Sequence, residues 1–324
     1  MKATAPTFSA DPDLIRSKSF FAILMELVKA RLTLLVILTT VVGFYLGSGS
    51  VLDYRLLFFV STGTSLLAAG AAVLNQVLEI DYDARMKRTA DRPLPSGRVT
   101  PGFALLLGSG LSLAGLFSLL LWVNALTAVL GGLTWLSYVA LYTPLKRITV
   151  LNTLVGAVPG ALPPLMGWSA ATNSISAPGW SLFGILFFWQ LPHFMAIAWL
   201  YREDYAGAGF KMLSGADPDG RRTAASAVRN TLALLAISLF PFQFGVVGKA
   251  YLIGSLVCGL AFLTLAIAFA KALTPRSARQ LFFASILYLP LLLGLLVVDK
   301  RTSTLTSRGQ ISPNSQPVAI KPIS

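Results

Sequence analysis

The feature that most constrains this chain is a series of apolar runs, each close to 20 residues long, separated by short polar stretches. About 20 apolar residues wound as a helix cross the ~30 Å of hydrocarbon in a bilayer, and only helices or closed barrels satisfy their own backbone there. Nine runs qualify: Leu32–Gly49, Leu56–Leu78, Phe103–Val123, Leu126–Tyr142, Leu151–Trp168, Trp180–Leu200, Thr231–Val247, Ala250–Ala270 and Leu281–Val298. The expected fold class is all-α, a polytopic membrane protein. Charged residues make up 12% of the chain, about half the share in soluble domains. Three prolines, Pro159, Pro163 and Pro164, interrupt the fifth run, which requires neighbouring helices to satisfy the backbone groups they free.

The net charge is +13. In a soluble domain that would suggest nucleic acid. Here the bases lie in short loops, where the positive-inside rule accounts for most of them, so no nucleic-acid partner is expected. Arg16, Lys18, Lys29 and Arg31 fall on one side with the loops around residues 85–98, 146–147, 202–229 and 271–279, which predicts that this side is cytoplasmic. Lys300, Arg301 and Arg308 fall on the other side. Cys258 is the only cysteine, which excludes an intrachain disulfide and a thiolate metal site. Polar residues precede the first span, unlike a cleaved secretory signal. The expected organisation is a polar segment 1–20, a membrane domain 21–299 and a disordered tail 300–324 rich in Ser, Thr and Pro.

The second run ends in NQVLEIDYDARMKRTADRPLP, residues 75–95. The chain has 13 acidic residues, and Glu79, Asp81 and Asp83 fall within five positions. Asn75, Glu79 and Asp83 are spaced i, i+4, i+8, which puts them on one helical face with a drift of about 40° per step. Asp81 points away from it. A face of oxygen ligands at a membrane–water boundary suits Mg²⁺, which takes oxygens and often shares phosphate, and Arg88 and Arg92 downstream suit the phosphate. The competing reading is a helix that simply ends in a solvated charged loop. Asn75 and Gln76 inside the apolar run weigh against it, because polar groups at such depth are expensive and usually functional.

A second polar stretch, YREDYAGAGFKML, follows the sixth run on the same side and carries Arg202, Glu203, Asp204 and Lys211. Two acidic helix ends facing each other would grip a diphosphate with one or two Mg²⁺. His193, the only histidine, lies eleven residues before Asp204, about 16 Å deeper on nearly the same face of a continuous helix. It reads either as a hydrogen-bonded core residue or as a contact for a polar or iron-bearing substrate. Opposed acids above an apolar cavity suit a substrate that is ionic at one end and greasy at the other, such as an isoprenoid diphosphate. Metal and basic groups would stabilise the departing pyrophosphate, and the bundle would keep water from the allylic cation.

Asn75, Glu79, Asp83 and the pair Arg88-Thr89 together resemble the first acidic motif of the UbiA superfamily of intramembrane prenyltransferases, with Glu79 where many members have Asp. DARMKRTADRPLPSGRVT, YTPLKRITVLNTLVGAVPGALPPLMGW and WQLPHFMAIAWLYREDYAGAGFKML look more narrowly like its protohaem IX farnesyltransferase (haem O synthase) branch, over about residues 20–300. The second stretch departs from the superfamily's Asp-rich pattern. The resemblance implies about nine transmembrane helices around a central cavity, in the cytoplasmic membrane of a bacterium, with the N-terminus and both acidic loops cytoplasmic. It implies transfer of farnesyl from farnesyl diphosphate to a vinyl group of haem b, with Mg²⁺ as cofactor and haem A synthase or cytochrome oxidase assembly factors as partners. Carried over by position, Asn75, Glu79, Asp83 and Asp204 form the catalytic set, the last three as metal ligands. Arg88, Arg92, Lys146, Arg147, Arg202 and Lys211 contact diphosphate or haem propionates. Tyr142, Asn152 and Tyr201 border the substrate cavity, and His193 contacts haem. The rivals are a sister enzyme that prenylates an aromatic quinone precursor, a membrane transporter, and a non-catalytic assembly factor that holds haem. A transporter would show ionisable residues near the midplane and internal repeats; the acids here sit at helix ends.

Overall fold

The computed structural model describes residues 18–301. Among these the chain winds into α1 (Phe20–Leu27), α2 (Ala30–Gly47), α3 (Tyr54–Leu78), α4 (Ile80–Asp83), α5 (Pro101–Trp122), α6 (Ala125–Leu136), α7 (Thr143–Leu145), α8 (Asn152–Thr172), α9 (Ala177–Leu200), α10 (Arg202–Gly207), α11 (Arg221–Ile237), α12 (Phe240–Gln243), α13 (Lys249–Ala272) and α14 (Pro275–Val298). A π-helical turn, Ser137–Tyr142, joins α6 to α7, and a 3₁₀ turn, Leu213–Ala216, precedes α11. The only β feature among the described residues is a single bridge between Val247 and Lys300. The all-α expectation holds.

Helix starts follow capping chemistry. Asp53 Oδ1 accepts from the Leu56 N–H at 2.9 Å. Asn124 Oδ1 accepts from the Thr127 N–H at 2.8 Å, which lets α5 turn into α6 with almost no loop. Thr274 and Ser277 form a reciprocal capping box, with Pro275 at the first helical position. Eight helical segments are long and apolar enough to cross a membrane, two of them continuous through short breaks: Ala125–Leu145 and Arg221–Gln243. The ninth long segment is α8, of 21 residues. It is less apolar because it is the central helix, with 15 of its 21 residues buried against α2, α6 and α9. Nine long segments among the described residues therefore match the nine apolar runs. The chain is an integral membrane protein.

Two boundaries differ from expectation. The seventh span begins at Arg221 rather than Thr231, because Gly220 turns the chain at φ +71° and Asp217 Oδ2 accepts from the Thr223 N–H at 2.7 Å and its hydroxyl at 2.8 Å, capping the helix early. Lys18, Ser19, Lys300 and Arg301, assigned above to the terminal segments, are held by the bundle. Lys18 pairs with Glu26 at 2.6 Å and Asp91 at 3.1 Å, and Ser19 caps α1. Lys300 Nζ donates to the carbonyls of Tyr45 at 2.6 Å and Ser48 at 2.8 Å, clasping the end of α2 to the end of α14, while the Arg301 N–H donates to the Val246 carbonyl at 2.8 Å. Residues 1–17 and 302–324, including Arg16, Arg308 and the rest of the expected tail, lie outside the described residues.

In lipid, helices associate through close backbone approach at small residues rather than through hydrophobic burial. The α2–α8 contact shows this sharply. A Cβ on Gly167 would lie 1.9 Å from the Thr40 carbonyl oxygen, and one on Gly43 would lie 2.0 Å from the Pro164 carbonyl oxygen. Both obstacles are backbone and cannot rotate away. Gly167→Ala is therefore expected to force α2 and α8 apart at a cost of about 3 kcal/mol, the upper range for overpacking. Gly49→Ala, with nothing within 4 Å of the new methyl, is expected to be neutral. Thermal unfolding of the two purified variants in detergent checks both.

Candidate active site at the polar end of the bundle

The polar stretch after α3 keeps its helical phase. The helix breaks at Glu79, whose φ of −109° separates α3 from α4, yet Asn75, Glu79 and Asp83 stay on one buried face, at 1%, 2% and 1% exposure. Asp81 faces solvent. Each of the three buried groups meets a cation from a different segment. Lys29 Nζ donates to Asn75 Oδ1 at 2.6 Å, Lys146 Nζ to the Glu79 carboxylate at 2.9 and 3.2 Å, and Arg92 Nη1 to Asp83 Oδ2 at 2.6 Å. Asn75 Nδ2 donates in turn to Thr143 Oγ1 at 3.0 Å. Thr89 Oγ1 donates to the Asp83 carbonyl at 2.8 Å and folds the loop back so that Arg92 reaches its partner.

Beneath this row lies a cavity of about 270 Å³. It is walled by α2, α3, the rod of α6 and α7, α8 and α9, and Lys146 stands at its mouth. The π turn shapes one wall. An extra residue per turn, a feature common at functional sites, lets Tyr138 and Tyr142 both line the cavity, with ring centroids 5.7 Å apart. Lys146 Nζ lies 4.5 Å from the Tyr142 ring centroid. Burial opposes the charge on Lys146, but Tyr142 and Glu79 outweigh it and hold its pKa above the usual lysine range. Lys29 behaves oppositely. Burial first, then Arg92 and Lys146, push its pKa down to about 7.

The two polar loops meet at this end. Arg88 Nη2 donates to the Tyr205 hydroxyl at 3.0 Å and lies over the rings of Tyr201, at 5.3 Å, and Tyr205, at 5.4 Å. The Lys211 N–H donates to the Lys146 carbonyl at 2.8 Å. Met86, Ala208, Phe210 and Met212 pack as a small apolar lid between the loops. Their carboxylates do not share one centre: among the described residues no three acidic, His or Cys groups gather closely enough to hold a metal ion. Asp204 is half-buried in an adjoining groove of about 260 Å³, with Tyr201, Arg202 and Glu203. Arg202 lies over Trp199, 4.6 Å from its ring centroid.

Other residues named from the sequence sit as follows. Arg147 stacks on Tyr82, 3.9 Å from its centroid, and donates to the Leu78 carbonyl. Lys211 has an exposed side chain. Asn152 is fully buried and does not line the cavity; its Nδ2 donates to the carbonyls of Thr149 at 2.6 Å and Lys211 at 2.7 Å, tying the start of α8 to the second loop. His193 does not line the cavity either. It packs against α14, with Nδ1 2.7 Å from Ser285 Oγ and its ring stacked on Trp189 and Phe282. The helix on which Asp204 was phased with His193 breaks at Tyr201.

Sequence reasoning missed Lys29 as a site residue, as well as Tyr138, Trp135 and Gln190, which line the cavity. Lys29 was counted only for topology. Its left-handed φ of 48° kinks the chain between α1 and α2 and turns the amine toward Asn75. A lysine two residues ahead of an arginine at the foot of the first span was the available signal.

Comparison with known proteins accords with this architecture. A protein of Opitutus terrae, curated as protoheme IX farnesyltransferase, is 48% identical over 285 residues, 88% of this chain and 96% of that protein. Among solved structures, one described for digeranylgeranylglyceryl phosphate synthase in membranes superposes with a TM-score of 0.74 at 17% identity, over 86% of this chain and 98% of the other. A UbiA homologue from Archaeoglobus fulgidus bound to GPP and Mg²⁺ superposes with a TM-score of 0.60 at 13% identity, over 85% and 99%. These two share the fold. The UbiA prenyltransferase family profile matches residues 36–287, and the chain belongs to that family.

Proposed function

We propose that this chain transfers the farnesyl group of farnesyl diphosphate to a vinyl group of haem b. The observation that carries the reading is the row of three buried oxygen-bearing groups, each matched to a cation, at the mouth of an apolar cavity. The name of the Opitutus terrae relative, identical at nearly half its positions, supports the same donor and acceptor.

The residues fit a metal. Glu79 and Asp83 offer only oxygen donors, lie on successive turns and are buried, which suits a hard ion whose remaining ligands are phosphate oxygens and water. Mg²⁺ held there would neutralise part of the diphosphate charge. Lys29, Arg92 and Lys146 take the phosphate oxygens, and the other bases reach them from the rim: Arg88, Arg147, Arg202 and Lys211. Asp204 meets the same ligand from the facing loop. The C1–O bond breaks with its electron pair leaving on diphosphate. The farnesyl cation is stabilised by the ring faces of Tyr138 and Tyr142 and kept from water by the cavity wall. The vinyl π electrons form the new carbon–carbon bond, and water adds to the resulting cation beside the macrocycle and releases a proton. The mouth with both acidic loops faces the cytoplasm of a bacterial cytoplasmic membrane, consistent with the positive-inside count, and the product passes to haem A synthase or oxidase assembly factors.

Purified protein with haem b, farnesyl diphosphate and Mg²⁺ is expected to yield a more hydrophobic haem heavier by a farnesyl group plus water. A prenylated hydroxybenzoate in place of that haem would turn the assignment to quinone synthesis. Asp83→Asn is expected to lower kcat by about 10²–10³, in the range for losing one transition-state electrostatic contact, with haem binding by difference spectroscopy retained.

Lys29 gives a pH signature. With a pKa near 7 in the free protein, it loses its charge as pH rises above that value, and binding an anion must restore the proton. Affinity for the diphosphate is expected to fall by up to about tenfold per pH unit above about 7. Lys29→Met should bind more weakly and lose that slope in a fluorescence titration. Folding linkage carries the same proton: the unfolded lysine titrates at 10.5, so between about 7 and 10.5 the unfolded chain binds more protons and this group's penalty on stability shrinks as pH rises.

A further inference from the structure

The cavity has a closed end. Its wall on α3 runs from Ala72 down to Thr64, and its wall on α8 from Gly156 to Met166, depths of about 12 and 15 Å at 1.5 Å per residue. Leu67 and Met166 belong both to the cavity lining and to the packed apolar core beyond it, with Phe44, Leu119 and Leu165. Met166 is 0% and Leu67 4% exposed. Both converge on α6 where Gly131 leaves room: a Cβ there would lie 3.0 Å from Leu67 Cδ2 and 3.3 Å from Met166 Cε. Thr134 Oγ1, 3.6 Å from Met166 Sδ, completes the plug.

An extended farnesyl chain, with roughly twelve backbone carbons and bonds of about 1.5 Å, is about 14 Å long, and each isoprene unit adds about 5 Å. That length matches the distance from mouth to plug, and one more unit does not fit. We propose that Met166, backed by Leu67 and Thr134, is the stop that sets the length of the prenyl donor, selecting farnesyl over geranylgeranyl. Ala68, one turn above Thr64 on the same wall, is the position from which the cavity can be shortened by about one unit, since a helical turn rises about 5.4 Å. The inference rests on the prenyl-transfer reading above and refines its donor.

The test uses full-length protein in nanodiscs and non-hydrolysable thiodiphosphates of geranyl, farnesyl and geranylgeranyl, with thermal stabilisation as readout and haem product as a second. Wild type is expected to be stabilised most by the farnesyl compound. Met166→Ala should raise the preference for geranylgeranyl over farnesyl at least about tenfold, and Ala68→Leu should raise that for geranyl over farnesyl similarly, as expected when a methylene-scale contact is gained or lost. Unchanged preferences in either folded variant overturn the assignment, and Ala68→Leu, which opens no core space, still decides it if Met166→Ala fails to fold. Shifted preferences without haem product would uphold the stop and sink the choice of acceptor. Absence of stabilisation by all three compounds in wild type would overturn both readings.

Discussion

Everything at the polar end depends on three stacked contacts in which a buried oxygen meets a nitrogen from another part of the chain. Asn75, Glu79 and Asp83 rise on successive turns; Lys29, Lys146 and Arg92 arrive from the foot of α2, the rod after the π turn and the loop beyond α4. Burying one unpaired charge here would cost several kcal/mol. The pairs therefore do more than neutralise the acids. They fix three otherwise unrelated segments against one helix, and they leave cations already dehydrated and converging on one point. A ligand bearing several phosphate oxygens finds donors that need little reorganisation, which is where electrostatic catalysis draws its advantage.

The greasy half of the molecule answers to a different force. Glycines in α2, α3, α5 and α8 bring backbones into contact, and α8 gives up lipid exposure to become the axis of the bundle. The cavity exists because small residues, Ala68, Ala71, Ala72, Gly156 and Gly160 among them, line its walls while bulky ones close its end. Polar mouth and apolar hollow meet at Tyr138 and Tyr142, whose rings face the hollow and whose hydroxyl ends lie near the charged row; the Tyr138 hydroxyl is 3.4 Å from Asn75 Oδ1.

Much of this was legible in the residues. Apolar runs of membrane length gave nine helices because inside lipid the backbone has no alternative, and the four-residue spacing of Asn75, Glu79 and Asp83 survived a helix break at Glu79. What failed depended on geometry that no spacing encodes. Lys29 joins the site through a left-handed backbone at one residue. Asn152 and His193 looked functional because polar groups in apolar runs are costly, yet each is satisfied by a structural partner, the Lys211 carbonyl and the Ser285 hydroxyl. The seventh span started early because Asp217 caps it from within a loop that read as solvated.

The π turn at Ser137–Tyr142 carries a consequence for how this protein can vary. Such a turn amounts to one residue more than regular winding needs. Excising a single residue there would restore ordinary α phase and swing all that follows through about 100°. Lys146 would then leave Glu79, and the Lys211 backbone would lose its anchor. That short segment should tolerate exchange of side chains far better than any change in its number of residues.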